Sequence, residues 1–158
     1  MTLVRVLHVL GIGLWLGGVA AALVLAGVQG SEPESTRGAA YRTLGKVYAW
    51  IVAPGAILTS GSGLAFTMMV ASAGYGARLG EPAVAAMQAL GLLAGVLEIF
   101  VSFPTSQRLA RIASLDDGSE LSPAAERMKS RTVTVSSVSM ALVVIAVYLG
   151  IAGAPHGG

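Results

Sequence analysis

An all-α integral membrane bundle of four helices is what this sequence predicts, and three observations predict it. Four apolar stretches are each long enough to cross a bilayer, near residues 3–26, 47–70, 83–103 and 132–152. Charged residues make up only 11% of the 158 positions, and 54% are hydrophobic. The basic residues gather in alternate loops. A soluble domain carries about 25% charged residues, so most side chains here have lipid as their solvent. A soluble four-helix bundle would need a polar stripe along each helix, and these stretches have almost none. The whole chain, 1–158, reads as a single membrane domain.

The first stretch holds Arg5, His8 and the pair Gly13-x-x-x-Gly17. It is longer than the apolar region of about 7–15 residues in a signal peptide and reads as a retained helix. Ser31 and Glu34 then have capping-box spacing, which starts a short helix that runs on into the second stretch. That stretch carries Pro54-Gly55, predicting a kink, and then Ser60-Gly61-Ser62-Gly63. The third contains Gly91-x-x-x-Gly95 and Glu98. Ser122-Pro123, with Glu126 in the first turn, opens a second such helix leading into the fourth stretch. There Ser136, Ser137 and Ser139 can hydrogen-bond across helices. Glycines spaced by four in the first and third stretches predict close helix packing. Gly30-Ser31-Glu32 and Gly118-Ser119-Glu120 hold equivalent places in the two halves, a faint sign of a duplicated hairpin.

Eight of the ten lysines and arginines fall between the first and second or the third and fourth stretches, and only Arg5 and Arg78 fall on the other side. The positive-inside bias therefore puts both termini on the outer, periplasmic side of the inner cell membrane. The loops are too short to hold a soluble domain.

The chain has no cysteine, which excludes disulfides, thiolate metal sites and C-x-x-C-H haem attachment. There is no phosphate-binding glycine loop, no H-E-x-x-H, no Ser-His-Asp set and no nucleic-acid motif. Without a complete catalytic set, the sequence reads as a non-enzymatic protein whose surroundings are the lipid bilayer.

His8 stands out because an intramembrane ionisable residue is a functional-site candidate by default. It shares a helix face with Gly11, Trp15 and Gly18, since seven residues drift by only about 20° around a helix. A face carrying a histidine, an indole and two glycines should turn toward the bundle, leaving room for a neighbour or a flat ligand. With a rise of about 1.5 Å per residue, His8 sits about 10 Å outward of mid-span. Met68, Met69, Met87 and Tyr148 come to similar heights. A histidine with a methionine suits haem iron or copper(I), so His8 is the metal-ligand candidate, with Trp15, Met68, Met69, Met87 and Tyr148 as cofactor-site candidates. Glu98 lies about 15 Å further along the axis. It is a proton or ion-pair candidate, with Arg108 or Lys46 as the expected base.

The run L-H-x-x-G-x-x-x-W-x-G-G at residues 7–18 resembles the opening helix of copper-resistance-D-type membrane domains and related small four-helix integral membrane families. It is distantly similar to the membrane-bound protoporphyrinogen oxidase. In the oxidase-like members the first-helix histidine ligates haem b and a lysine on a later helix also matters. Only the histidine carries over, to His8; Lys46 and Lys129 lie at membrane edges. The resemblance implies a four-span protein binding haem b or copper through His8. The competing expectation is an accessory subunit without a cofactor, packed against a larger membrane complex or another copy of itself.

Overall fold

The computed structural model describes residues 2–28, 34–115 and 123–152, all but a short turn of them helical. Four long helices carry the chain. Helix α1 is Thr2–Val28, α2 covers residues 34–75, α3 residues 82–115, and α4 is Pro123–Ala152. Each has a segment long and apolar enough to cross a membrane, and the all-α four-helix expectation holds for the described residues. The Ser31 and Ser122 caps, the Gly-Ser-Glu pair and His156 lie outside the described residues.

As expected, α2 and α4 each begin in a polar segment and continue without a break into an apolar one. Helix α3 differs from expectation at its end: it runs through Pro104 to Leu115 rather than stopping at residue 103. A proline inside a helix loses one hydrogen bond and crowds the carbonyl four residues back. Both interior prolines are accommodated in the same way. Residues Tyr48–Val52 before Pro54, and Glu98–Ser102 before Pro104, widen into π-helical turns. In each, the residue just before the proline donates its N–H five residues back, Ala53 to Tyr48 and Phe103 to Glu98. The extra residue per turn rotates the helix surface. Tyr48, Val52, Glu98 and Ser102 point into the core, while Trp50 and Phe100 point out. At its far end α2 breaks at Gly74, whose φ of 84° favours glycine. One turn, Gly76–Leu79, follows before Pro82 opens α3.

The tightest helix contact is between α1 and α2, and glycines set it. A Cβ on Gly55 would stand 2.5 Å from the Trp15 backbone nitrogen, and one on Gly11 2.8 Å from that of Thr59. A Cβ on Gly18 would meet Val52 at 2.8 Å. The Gly11–Trp15–Gly18 face therefore does turn inward, and the room its glycines leave is filled by a helix. A Cβ on Gly13 or Gly17 would have nothing within 4 Å. That GxxxG pair lies on the outer surface and packs no described helix of this chain. Gly91 is likewise open, whereas its partner Gly95 lies against Ser60.

Gly55→Ala should cost about 1–3 kcal/mol, because overpacking here meets backbone. Gly17→Ala should cost nothing and gain up to about 1 kcal/mol of helix propensity. Thermal unfolding of the two variants in detergent checks the contrast, and equal stabilities would contradict the packing assigned to this face.

Candidate functional site

Two groups of polar side chains stand at different levels along α1. The first is at His8. Its Nδ1 lies 3.0 Å from the Thr59 carbonyl oxygen and 3.0 Å from Ser62 Oγ, both on α2. A carbonyl only accepts, and the Ser62 hydroxyl donates to the carbonyl oxygen of Leu58 or Thr59. The hydrogen on this contact therefore belongs to Nδ1. In the neutral ring, Nε2 then holds the free lone pair. Gly63 completes the cradle: a Cβ there would lie 3.2 Å from His8 Cε1. The ring is fixed from one side by backbone and hydroxyl, which is how a ligating imidazole is commonly oriented.

The other predicted cofactor-site residues are scattered. Met68 is 59% and Tyr148 68% exposed. Met68 and Met69 follow Ser62 by six and seven residues, so they lie about 9–10 Å further along α2 than the His8 cradle, at a rise of about 1.5 Å per residue. One turn from the cradle toward the start of α1, the Arg5 guanidinium stands 5.6 Å from the centre of the Phe66 ring. Met87 packs toward α4, with its sulfur 2.8 Å from where a Cβ on Gly150 would be. Trp15 is wholly buried, two turns from His8 and in the second group.

That second group is centred on Glu98, which is 1% exposed. Ser136 Oγ of α4 donates to Glu98 Oε1 at 3.0 Å and lies 2.6 Å from the Tyr48 hydroxyl of α2. Ser139 donates to the Ala94 carbonyl at 3.2 Å. The Trp15 indole and Ser102 also lie against the Glu98 carboxyl without closing a hydrogen bond of normal geometry. The expected pairing with Arg108 or Lys46 is not what the structure shows: Glu98 is held by hydroxyls, and both bases are exposed. Glu98 follows buried Ala94 and Gly95 by four and three residues, so ordinary helical spacing turns it into the core.

No family model, curated protein or solved structure matches the chain.

The hydroxyl network is only half legible in the sequence. Ser136 and Ser139 stand out there as interhelical donors, but Tyr48 and Ser102 do not. The signal that finds them is their placement six and two residues before a helix-interior proline, at the ends of the widened turns. Among the described residues no group of three His, Cys, Asp or Glu side chains could hold a metal ion. A cleft of about 410 Å³ opens at the opposite, basic end, between Ala26 and Gly27 of α1 and Lys129, Ser130 and Thr134 of α4.

Ser136→Ala would strip partners from Tyr48 and Glu98 together, at about 1–3 kcal/mol for each buried polar group left unsatisfied. Tyr48→Phe removes one partner and should cost about 1 kcal/mol. Chemical unfolding of both single variants and the double variant should show strong non-additivity, and simple additivity would mean that the three groups are not linked.

Proposed function

We propose that this chain is a non-enzymatic four-span protein of the inner cell membrane, with both termini outside, that binds haem b or copper through Nε2 of His8. One observation carries the reading: Nδ1–H is spent on the Thr59 carbonyl, so the ring nitrogen left for a ligand is defined by its surroundings. The donor chemistry fits one ligand position. A thioether or a second imidazole would complete a copper(I) site, and His8 would supply one nitrogen ligand to haem iron. Met69 is the half-buried methionine on α2 and Met68 the exposed one, and Met87 and Tyr148 belong to the α3–α4 side. The likeness of residues 7–18 to the copper-resistance-D-type opening helix supports the same reading. His8 alone would hold the group; Gly63, Thr59 and Ser62 would orient it.

A second reading has its own observation. Leu10, Gly13, Leu14, Gly17 and Val24 form an exposed stripe along α1, with open space over both glycines. Small residues facing lipid suit close approach by another helix. That supports an accessory subunit seated against a larger membrane complex.

Purified protein in detergent, titrated with haemin and separately with copper(I), should bind one of them in a 1:1 ratio, with a Soret band for haem or retained metal for copper. His8→Ala should abolish binding, and Ser62→Ala should weaken it while leaving it measurable. Failure of the wild-type protein to bind either, or unchanged binding by His8→Ala, would overturn the cofactor reading. Stoichiometric co-purification of a membrane partner without a cofactor would favour the second.

A further inference from the structure

Around Glu98 the bundle leaves four buried polar atoms without partners: Trp15 Nε1, Ser60 Oγ, Glu98 Oε2 and Ser102 Oγ. Unpartnered buried polar atoms are rare one at a time, and these come from three helices onto one region. Trp15 and Ser102 lie against the carboxyl itself. Ser60 faces Gly95, one turn before Glu98, where a Cβ would come 2.5 Å from its hydroxyl and 3.9 Å from Trp15 Cη2, the edge of the indole away from Nε1. The glycine keeps that corner open.

The donor set points to what occupies it. An indole N–H only donates, so it repels a metal cation and requires an acceptor. The serine hydroxyls give and take, and a carboxyl oxygen takes. One water molecule matches all of these, accepting from Trp15 and donating to Glu98 Oε2. Buried waters commonly make about three such bonds to otherwise unsatisfied groups.

Among the described residues no lysine or arginine bonds to the carboxyl. From α1 it faces Trp15, from α4 Ser136 and Ser139, and from its own helix Ser102. The titratable group facing it is Tyr48 of α2, through Ser136. An ionised carboxyl in this setting needs a counter-charge, and a proton supplies one without enlarging the site. The hydroxyl chain is compatible with both states. With the carboxylate, Tyr48 donates to Ser136 and Ser136 to Glu98; with the acid protonated on Oε2, the same directions hold.

We propose that Trp15, Glu98 and Ser102 hold an internal water, with Ser60 at its edge, and that Glu98 beside it takes up a proton on acidification. The proton comes from solvent and rests on Oε2, where it donates to the water, while Oε1 goes on accepting from Ser136.

Infrared difference spectroscopy of reconstituted protein, stepped in pH, tests this independently of His8. The expected result is a protonated-carboxyl band that appears on acidification and is absent from Glu98→Gln. It should shift in deuterated water and move again in Trp15→Phe and Ser102→Ala. An internal-water stretch sensitive to heavy-oxygen water should be lost in the same two variants. No titrating carboxyl band attributable to Glu98 would overturn proton exchange. A band that titrates but is indifferent to Trp15→Phe and Ser102→Ala would overturn the bound water. Should Glu98→Gln fail to fold, a displaced band in Ser136→Ala provides the assignment, and an undisplaced one counts against it.

Discussion

A carboxyl held by hydroxyls rather than by a cation sits where all four helices meet, and the rest of the interior is arranged around that fact. Each bond of the network joins different helices: Ser136 on α4 reaches Glu98 on α3 and Tyr48 on α2, and the Trp15 indole of α1 lies against the carboxyl. In a lipid-exposed bundle the hydrophobic effect gives helices little reason to choose one neighbour over another. Packing and polar bonds must do so. A shared hydroxyl network fixes rotation and depth of three helices together, because sliding any of them by one residue takes its hydroxyl off the chain.

The two prolines make that network reachable. Tyr48 and Glu98 each stand six residues before a proline, at the start of a widened turn, and Val52 and Ser102 stand two before. Without the added residue per turn, neither Tyr48 with Val52 nor Glu98 with Ser102 would face inward together with the helix stretches on both sides. Proline here does more than kink a helix: it sets the angular phase between its two halves. Glycine does the complementary work on α1, where Gly11 and Gly18, with Gly55 opposite, bring the backbones close enough for Trp15 to be wholly buried.

How much of this is readable in the sequence follows from which forces hydropathy records. The four spans are legible because length and lack of charge decide them, and the continuous starts of α2 and α4 follow from cap and charge signals. The inward face of α1 is legible because His8, Gly11, Trp15 and Gly18 recur at near-heptad spacing. Which glycines pack is not. Gly13 and Gly17 match the familiar spacing, yet they face outward, because the inward face is already claimed by Gly11 and Gly18. A basic partner for Glu98 is suggested by its charge alone, whereas the serines of α4 that face it supply its partner instead. The heights of Met68 and Met69 slip because α2 is longer than its apolar core, so counting from mid-span puts them too close to His8.

The two polar groups also constrain each other. His8 and Trp15 lie on one face of one helix, seven residues apart, and α2 packs against both, with Thr59 and Ser62 holding His8 and Gly55 lying against the Trp15 backbone. Thr59 and Ser60 are adjacent in sequence but serve different polar groups. A change in the α1–α2 contact at Gly55 therefore touches both: it shifts the backbone carrying Trp15 and, one turn on, the carbonyl that holds His8. A ligand drawing His8 outward would act on the same contact. The glycine seam thus lies between the histidine cradle and the buried carboxyl, and it joins the two levels by backbone packing rather than by a hydrogen bond.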